Sequence, residues 1–116
     1  MIDLRQLIML IDDKKKLPTH LGMDLDCKIR QDDFKPLVKI INYILNYLRA
    51  LSDKEIQIDL DAHASDYRLV FIVHSDRSEI PPLSNSLKDI LKTYRATLEF
   101  IHEPSRYVKF QLTFEK

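Results

Sequence analysis

The sequence predicts an α+β domain, a two-layer sandwich with helices on one face of a mixed, mostly antiparallel sheet of about five strands. Three observations carry that expectation. Apolar periodicity alternates between the helical and the strand repeat in the order helix, strand, helix, two strands, helix, two strands. Strands that follow one another directly pair most simply as hairpins, which makes the sheet mostly antiparallel. The helices are too few to cover both faces, so one face is left to water. With 116 residues, 45% of them apolar and 31% charged, the chain has material for one domain, residues 1–116, with a single core.

Taken in order, Leu4, Leu7, Ile8 and Ile11 recur at helical spacing from Asp3 to about Lys15, and a lysine triplet closes this short amphipathic helix before Pro18. Met23, Leu25, Cys27 and Ile29 alternate with polar residues in "MDLDCKI" and predict a strand. Asp32 or Asp33 is placed to cap a helix reaching about Leu51, with Pro36 in its first turn, where proline is tolerated. Phe34, Leu37, Val38, Ile41, Leu45 and Leu48 form its core stripe, while at ~100° per residue Lys35, Lys39, Asn42, Asn46 and Arg49 share another face. Ile40, Tyr43 and Tyr47 widen the apolar arc. They require a cover, either the N-terminal helix or a second copy of the protein, and left bare they form an aromatic patch suited to a protein partner.

"EIQIDLD" alternates as a half-buried strand, and "RLVFIV" is continuously apolar as a central strand, with "AHASD" as the hairpin link. A helix from about Ser84 to Tyr94 turns Leu87, Ile90 and Leu91 inward. "TLEFIH" and "YVKFQLTFE" form a last hairpin about Pro104 and Ser105, with Val108, Phe110, Leu112 and Phe114 on one face.

Several function classes fall away on composition. Lys plus Arg equals Asp plus Glu at 18 each, so no global field draws in nucleic acid or an anionic membrane. Cys27 is alone, which rules out an internal disulfide, and His20, His63, His74 and His102 show no metal-ligand spacing. The opening "MIDLRQLIML" has an aspartate where a signal peptide has basic charge, and no run reaches the ~20 apolar residues of a membrane span, so the expected compartment is the cytoplasm. Gly22 is the only glycine, which argues against a glycine-rich phosphate loop.

The element order, together with "NYILN" and the segments after it, resembles the ATP-binding domain of histidine kinases and the wider GHKL family of gyrase, Hsp90, histidine kinases and MutL. In many kinases of that family a helix reads Asp, nine residues, Asn, three residues, Asn, Ala; Asp32, Asn42 and Asn46 stand at that spacing, with Tyr47 for the alanine. The resemblance implies that Asn46 is the counterpart of the residue holding the magnesium ion of the nucleotide. It also aligns "VHSDRSEI" with the family's Val-x-Asp-Asn-Gly-x-Gly-Ile, which puts Ser75 at the adenine-binding aspartate, Asp76 at the asparagine, and Arg77 and Glu79 at the glycines. A one-residue slip puts Asp76 itself at the adenine. Tyr94, Arg95 and Ala96 fall at the family's His-Gly-Gly, and only "PPLS" stands where the family carries a nucleotide lid and a second glycine box.

The resemblance therefore implies a degenerate member. Asn42, Asn46, Ser75, Asp76 and Arg77 are expected to mark a vestigial nucleotide site without catalytic residues, cofactor or resident metal. The expected role is a regulatory or scaffolding module that acts through a protein partner, in a signalling pathway or with a second copy of itself. The alternative is a divergent kinase or nucleotide sensor that binds ATP or ADP with magnesium through Asn46 and Asp76.

Overall fold

Two short-range signals start the chain: an aspartate able to cap a helix, and leucines and isoleucines spaced to bury one side of it. In the structure, a computed structural model describing residues 1–116, β1 (Ile2–Asp3) leads directly into α1 (Leu4–Lys15). The Asp3 carboxylate accepts the Gln6 N–H at 3.2 Å, and Leu4, Leu7, Ile8 and Ile11 are buried. Then follow β2 (Thr19–Met23), β3 (Lys28–Ile29), α2 (Lys35–Leu51), β4 (Ile56–Ala62), β5 (Asp66–His74), α3 (Leu87–Lys92), β6 (Ala96–Glu103) and β7 (Tyr107–Glu115). No helix is long and apolar enough to cross a membrane.

The main sheet has five strands in the order β2-β4-β5-β7-β6, with β2 parallel to β4 and every other pair antiparallel. A small antiparallel pair, β1 with β3, closes the N-terminal corner. Strand alternation sends Ile58, Leu69, Phe71, Phe110, Leu112 and Phe114 to one face, where the helices cover them. One apolar cluster extends from Ile2 to Phe114. Each fully buried phenylalanine in it contributes about 1.5–3 kcal/mol relative to exposure. The architecture is the expected α+β sandwich with helices on one face.

The predicted strand through Met23, Leu25, Cys27 and Ile29 is corrected. Two strands flank a break, because Asp26 adopts φ 59 and Leu25 is 67% exposed. Met23 thus belongs to the main sheet and Ile29 to the small pair. The third helix is shorter than the expected span from Ser84 to Tyr94. In α2 the buried stripe shifts toward Ile40 and Ile44, while Phe34 stays 49% exposed.

Helix α2 is the centre of the layer, and both its ends are tied by distant residues. The first-turn N–H groups of a helix have no partner within it. The Lys35 N–H goes to the Asp33 carboxylate at 3.1 Å, Pro36 has none, and the Leu37 N–H goes to the Tyr94 hydroxyl at 3.1 Å. Tyr94 in turn donates to the Asp33 carbonyl at 2.7 Å. At the other end the Ser75 hydroxyl donates to the Leu51 carbonyl at 3.3 Å. The expected cap, Asp32 or Asp33, is corrected: Phe34 stands at the N-cap, Asp33 lies one residue earlier, and Asp32 holds the Met1 ammonium.

Backbone conformation adds a second constraint. Lys16, Asp26, Arg95 and Ser105 have φ of 54, 59, 53 and 64, all in the left-handed region where a Cβ is unfavourable. The single glycine is not among them. Gly22 instead admits the Asp59 side chain, whose Oδ1 would lie 2.7 Å from an added Cβ.

Tyr94→Phe and Ser75→Ala are each expected to lower unfolding free energy by about 1–3 kcal/mol, because a helix-end group loses its partner out of water; urea denaturation measures this. Burial pushes the Tyr94 phenol above its ordinary value, the Leu37 N–H works against that rise, and Asp33 adds to it. Its contribution is therefore whole below about pH 10 and fades as pH climbs through the raised value, so the gap between wild type and Tyr94→Phe shrinks in alkali. Lys16→Gly, at the left-handed end of α1, is expected to raise stability by about 1 kcal/mol in thermal unfolding.

Candidate functional site

The polar face of α2 is cationic by composition: Lys35, Lys39 and Arg49 have no acidic partner anywhere in the helix. Asn46 is exposed on this face, and its Oδ1 accepts the Lys15 ammonium from the last turn of α1 at 2.7 Å. Asn42, one turn earlier, is half-buried. It borders a cleft of about 270 Å³ between α1 and α2 together with Leu10, Phe34 and Val38. The two amides thus address α1.

Ser75, Asp76 and Arg77 lie where β5 runs out. Ser75 is 5% exposed, and its hydroxyl already donates to Leu51 and accepts the Arg77 N–H at 3.2 Å. Its own N–H donates to the Arg106 carbonyl at 3.1 Å, and the Arg77 carbonyl accepts the Ser105 N–H at 3.1 Å. A His102 ring nitrogen lies 3.2 Å from that same carbonyl. The turn is knitted to the β6–β7 hairpin by its backbone, with the Arg77 side chain left exposed.

Around this turn lie two adjoining hollows of about 320 and 400 Å³ that share Lys54, His74, Ser75 and Asp76. Arg49 borders the first, with a buried Nη1 that lacks a partner, and Arg106 borders the second. The basic side chains face Asp53, Asp76 and the carbonyl end of α2, whose partial negative charge offsets them. With the Ser75 proton committed to a backbone carbonyl, the turn holds no activated nucleophile. No three His, Cys, Asp or Glu side chains converge on a common point.

The tyrosines differ from expectation. Ile40 is 2% exposed. Tyr47 stands edge-on to Phe110 and Phe100, with ring centroids 5.6 and 5.9 Å away, and Tyr43 lies 6.2 Å from it. The Tyr47 hydroxyl donates to the Pro81 carbonyl, and Tyr43 accepts the Ser84 N–H at 2.9 Å. Burial raises the Tyr47 phenol, with Tyr43 adding to the rise. Of the two expectations for Ile40, Tyr43 and Tyr47, an intramolecular contact or a bare partner patch, the side chains make intramolecular contacts, with a partner different from the expected N-terminal helix. Ile40 is buried in the core, and the half-buried Tyr43 and Tyr47 are bridged by their hydroxyls to the 80–84 segment.

The structure brings Ser75, Asp76 and Arg77 together and sets Asn42 and Asn46 against another helix. Sequence reasoning missed Lys15, Lys54 and Tyr94. Lys15 was one of three consecutive lysines with nothing to single it out, and the role of Tyr94 depends on a contact 57 residues away.

No protein-family model and no curated protein matches the sequence. Solved structures do match. A mycobacterial sensor histidine kinase, MprB, superposes with a TM-score of 0.77 at 10% identity over 98% of this chain and 95% of that one. The histidine kinase domain of the E. coli osmosensor EnvZ gives 0.76 at 6% identity over 98% and 86%. For the Acinetobacter baumannii histidine kinase AdeS the values are 0.72 and 11%, and the chain spans 98% of itself but only 65% of AdeS. At such identities the likeness is one of architecture: this chain has the fold of these histidine kinase domains.

Proposed function

We propose that this chain is a regulatory or scaffolding module of histidine kinase-type fold that has lost ATP binding and acts in signalling through contact with another protein. The observation that carries the reading is Tyr47. It stands where the family pattern has alanine, beside the magnesium-binding asparagine, and its ring fills the space between α2 and the sheet. The 80–84 segment, which replaces the family's long lid, is fastened over it by both tyrosine hydroxyls.

Other residues agree. Reading an adenine amino group takes a carboxylate aimed into an enclosed slot, whereas Ser75 offers a hydroxyl whose donor is spent on Leu51, and Asp76, placed there by a one-residue slip, is exposed at the turn. Cradling phosphate takes free backbone N–H groups, whereas those of Ser75 and Arg77 are already bonded. A magnesium ion at Asn46 would sit beside the Lys15 ammonium. The residues as placed do not fit a magnesium nucleotide, and no step of phosphotransfer follows from them. The solved relatives bear the names of sensor and histidine kinases, which is the ground for placing the module in signalling.

Calorimetric titration with ATP and with ADP in the presence of magnesium is expected to show no binding; a dissociation constant in the micromolar range would overturn the reading. Tyr47→Ala is expected to cost about 3–5 kcal/mol of stability, whereas Tyr47→Phe, which keeps the ring and loses one hydrogen bond, costs about 1 kcal/mol. Equal effects of the two in thermal denaturation would mean that the ring does not fill the site.

A further inference from the structure

One margin of the main sheet is left with its peptide groups open. β6 pairs with β7 from Ala96 to Glu103 and has no strand on its other side. Nor does any loop take up its outward N–H and C=O groups, since no backbone hydrogen bond outside the regular elements involves residues 96–102. Such a row accepts another extended chain, and proteins blunt it with lysine, proline, a bulge or a short strand. β6 has none of the four. It contains neither lysine nor proline, its register runs without interruption, and at 8 residues it exceeds the mean strand of ~5–6. β2, at the opposite margin, has 5 residues and includes Gly22, which weakens a strand.

The side chains of β6 are unfinished in the same direction. Leu98 and Phe100 are only half-buried, although Leu112 and Phe110, opposite them on β7, are fully buried. Ile101, on the open face of the sheet, is 37% exposed. A strand added alongside would cover all three.

Register decides which strand fits. When a strand pairs antiparallel with a copy of itself about an axis normal to the sheet, one residue lies opposite itself and the residues on either side exchange places. Centred on Phe100, this sets Glu99 against Ile101, Leu98 against His102 and Thr97 against Glu103, and it stops where Pro104 offers Ala96 no N–H. Each carboxylate then faces an uncharged side chain. Centring on Glu99 would put that residue against itself, and centring on Ile101 would put Glu99 against Glu103. Neither clash is relieved within the chain: Glu99 is exposed and enters no ion pair, and Glu103 meets only Arg106, at 3.9 Å. β6 thus matches itself in one register.

We propose that β6 is a self-association edge, on which β6 of a second copy adds antiparallel about a two-fold axis through Phe100. The two five-stranded sheets become one continuous sheet, with the helices of both copies on the same side. The occupant is a second copy because it brings the required segment with it: extended, apolar at Leu98, Phe100 and Ile101, and uncharged opposite both glutamates. The proposal does not depend on the state of the nucleotide site, so micromolar ATP binding would leave it intact.

Sedimentation equilibrium of the whole chain from about 1 to 200 μM is expected to show a concentration-dependent dimer. Position 101 gives the register a sign. Ile101→Glu opposes two carboxylates to Glu99 of the other copy and is expected to raise the dimer Kd about tenfold, whereas Ile101→Lys opposes two ammonium groups to it and dimerises at least as tightly as wild type. Within one copy the preference is reversed, because Lys109 stands opposite Ile101 on β7 and favours the glutamate. Weaker dimers of Ile101→Glu therefore do not come from weaker folding, which melting curves check. A wild type monomeric throughout, or a lysine variant that dimerises no better than the glutamate variant, would overturn the proposal.

Discussion

A helix buried along its length has to find partners for the peptide groups at its ends, and the structure depends on how α2 meets that requirement. The first-turn donors and the last-turn acceptors have no intrahelical partner, and stranding one out of water costs more than a typical hydrogen bond contributes. Here Tyr94 reaches the N-terminus from the turn after α3, and Ser75 reaches the C-terminus from the end of β5. The helix is therefore tied to two turns distant from it in the chain, one before β6 and one after β5. With its ends set, seven apolar side chains from Leu37 to Leu51 settle on the sheet.

The same pair of clamps bears on the proposed loss of nucleotide binding. By the resemblance, Tyr94 falls at the histidine of the family's His-Gly-Gly and Ser75 at its adenine-reading aspartate, and each contacts backbone of this chain. Arg95, beside Tyr94, keeps the left-handed conformation that suits a glycine, and its side chain reaches Glu115 at 3.2 Å. On the proposed reading, groups that once met a nucleotide have been taken over by the fold, and binding passes to surfaces elsewhere.

The helix repeat of α1 and α2, the alternation of β4 and β7 and both hairpin turns were legible because each rests on periodicity within a short window. The break at Asp26 was not, because apolar alternation continues across it; one residue with positive φ sends the two halves to different sheets. The candidate site was legible only as a set of residue types at a family spacing. Nothing local to Asn46 announces Lys15, and nothing in "NYILN" shows that Pro81 and Ser84 return to cover the rings. Partners separated by 31 to 41 residues are decided by topology, which periodicity does not encode.

The parallel pairing of β2 with β4 has a consequence for the folding polypeptide. β4–β5 and β6–β7 close over turns of a few residues, whereas β2 must wait for α2 to be made and to cross over before β4 exists to receive it. Non-local pairing of this kind closes slowly. The β4–β5 hairpin can thus close locally with the flank of β4 still bare. That row of open amides and carbonyls is the place where nascent copies would join wrongly, and prompt docking of β2 is what protects them.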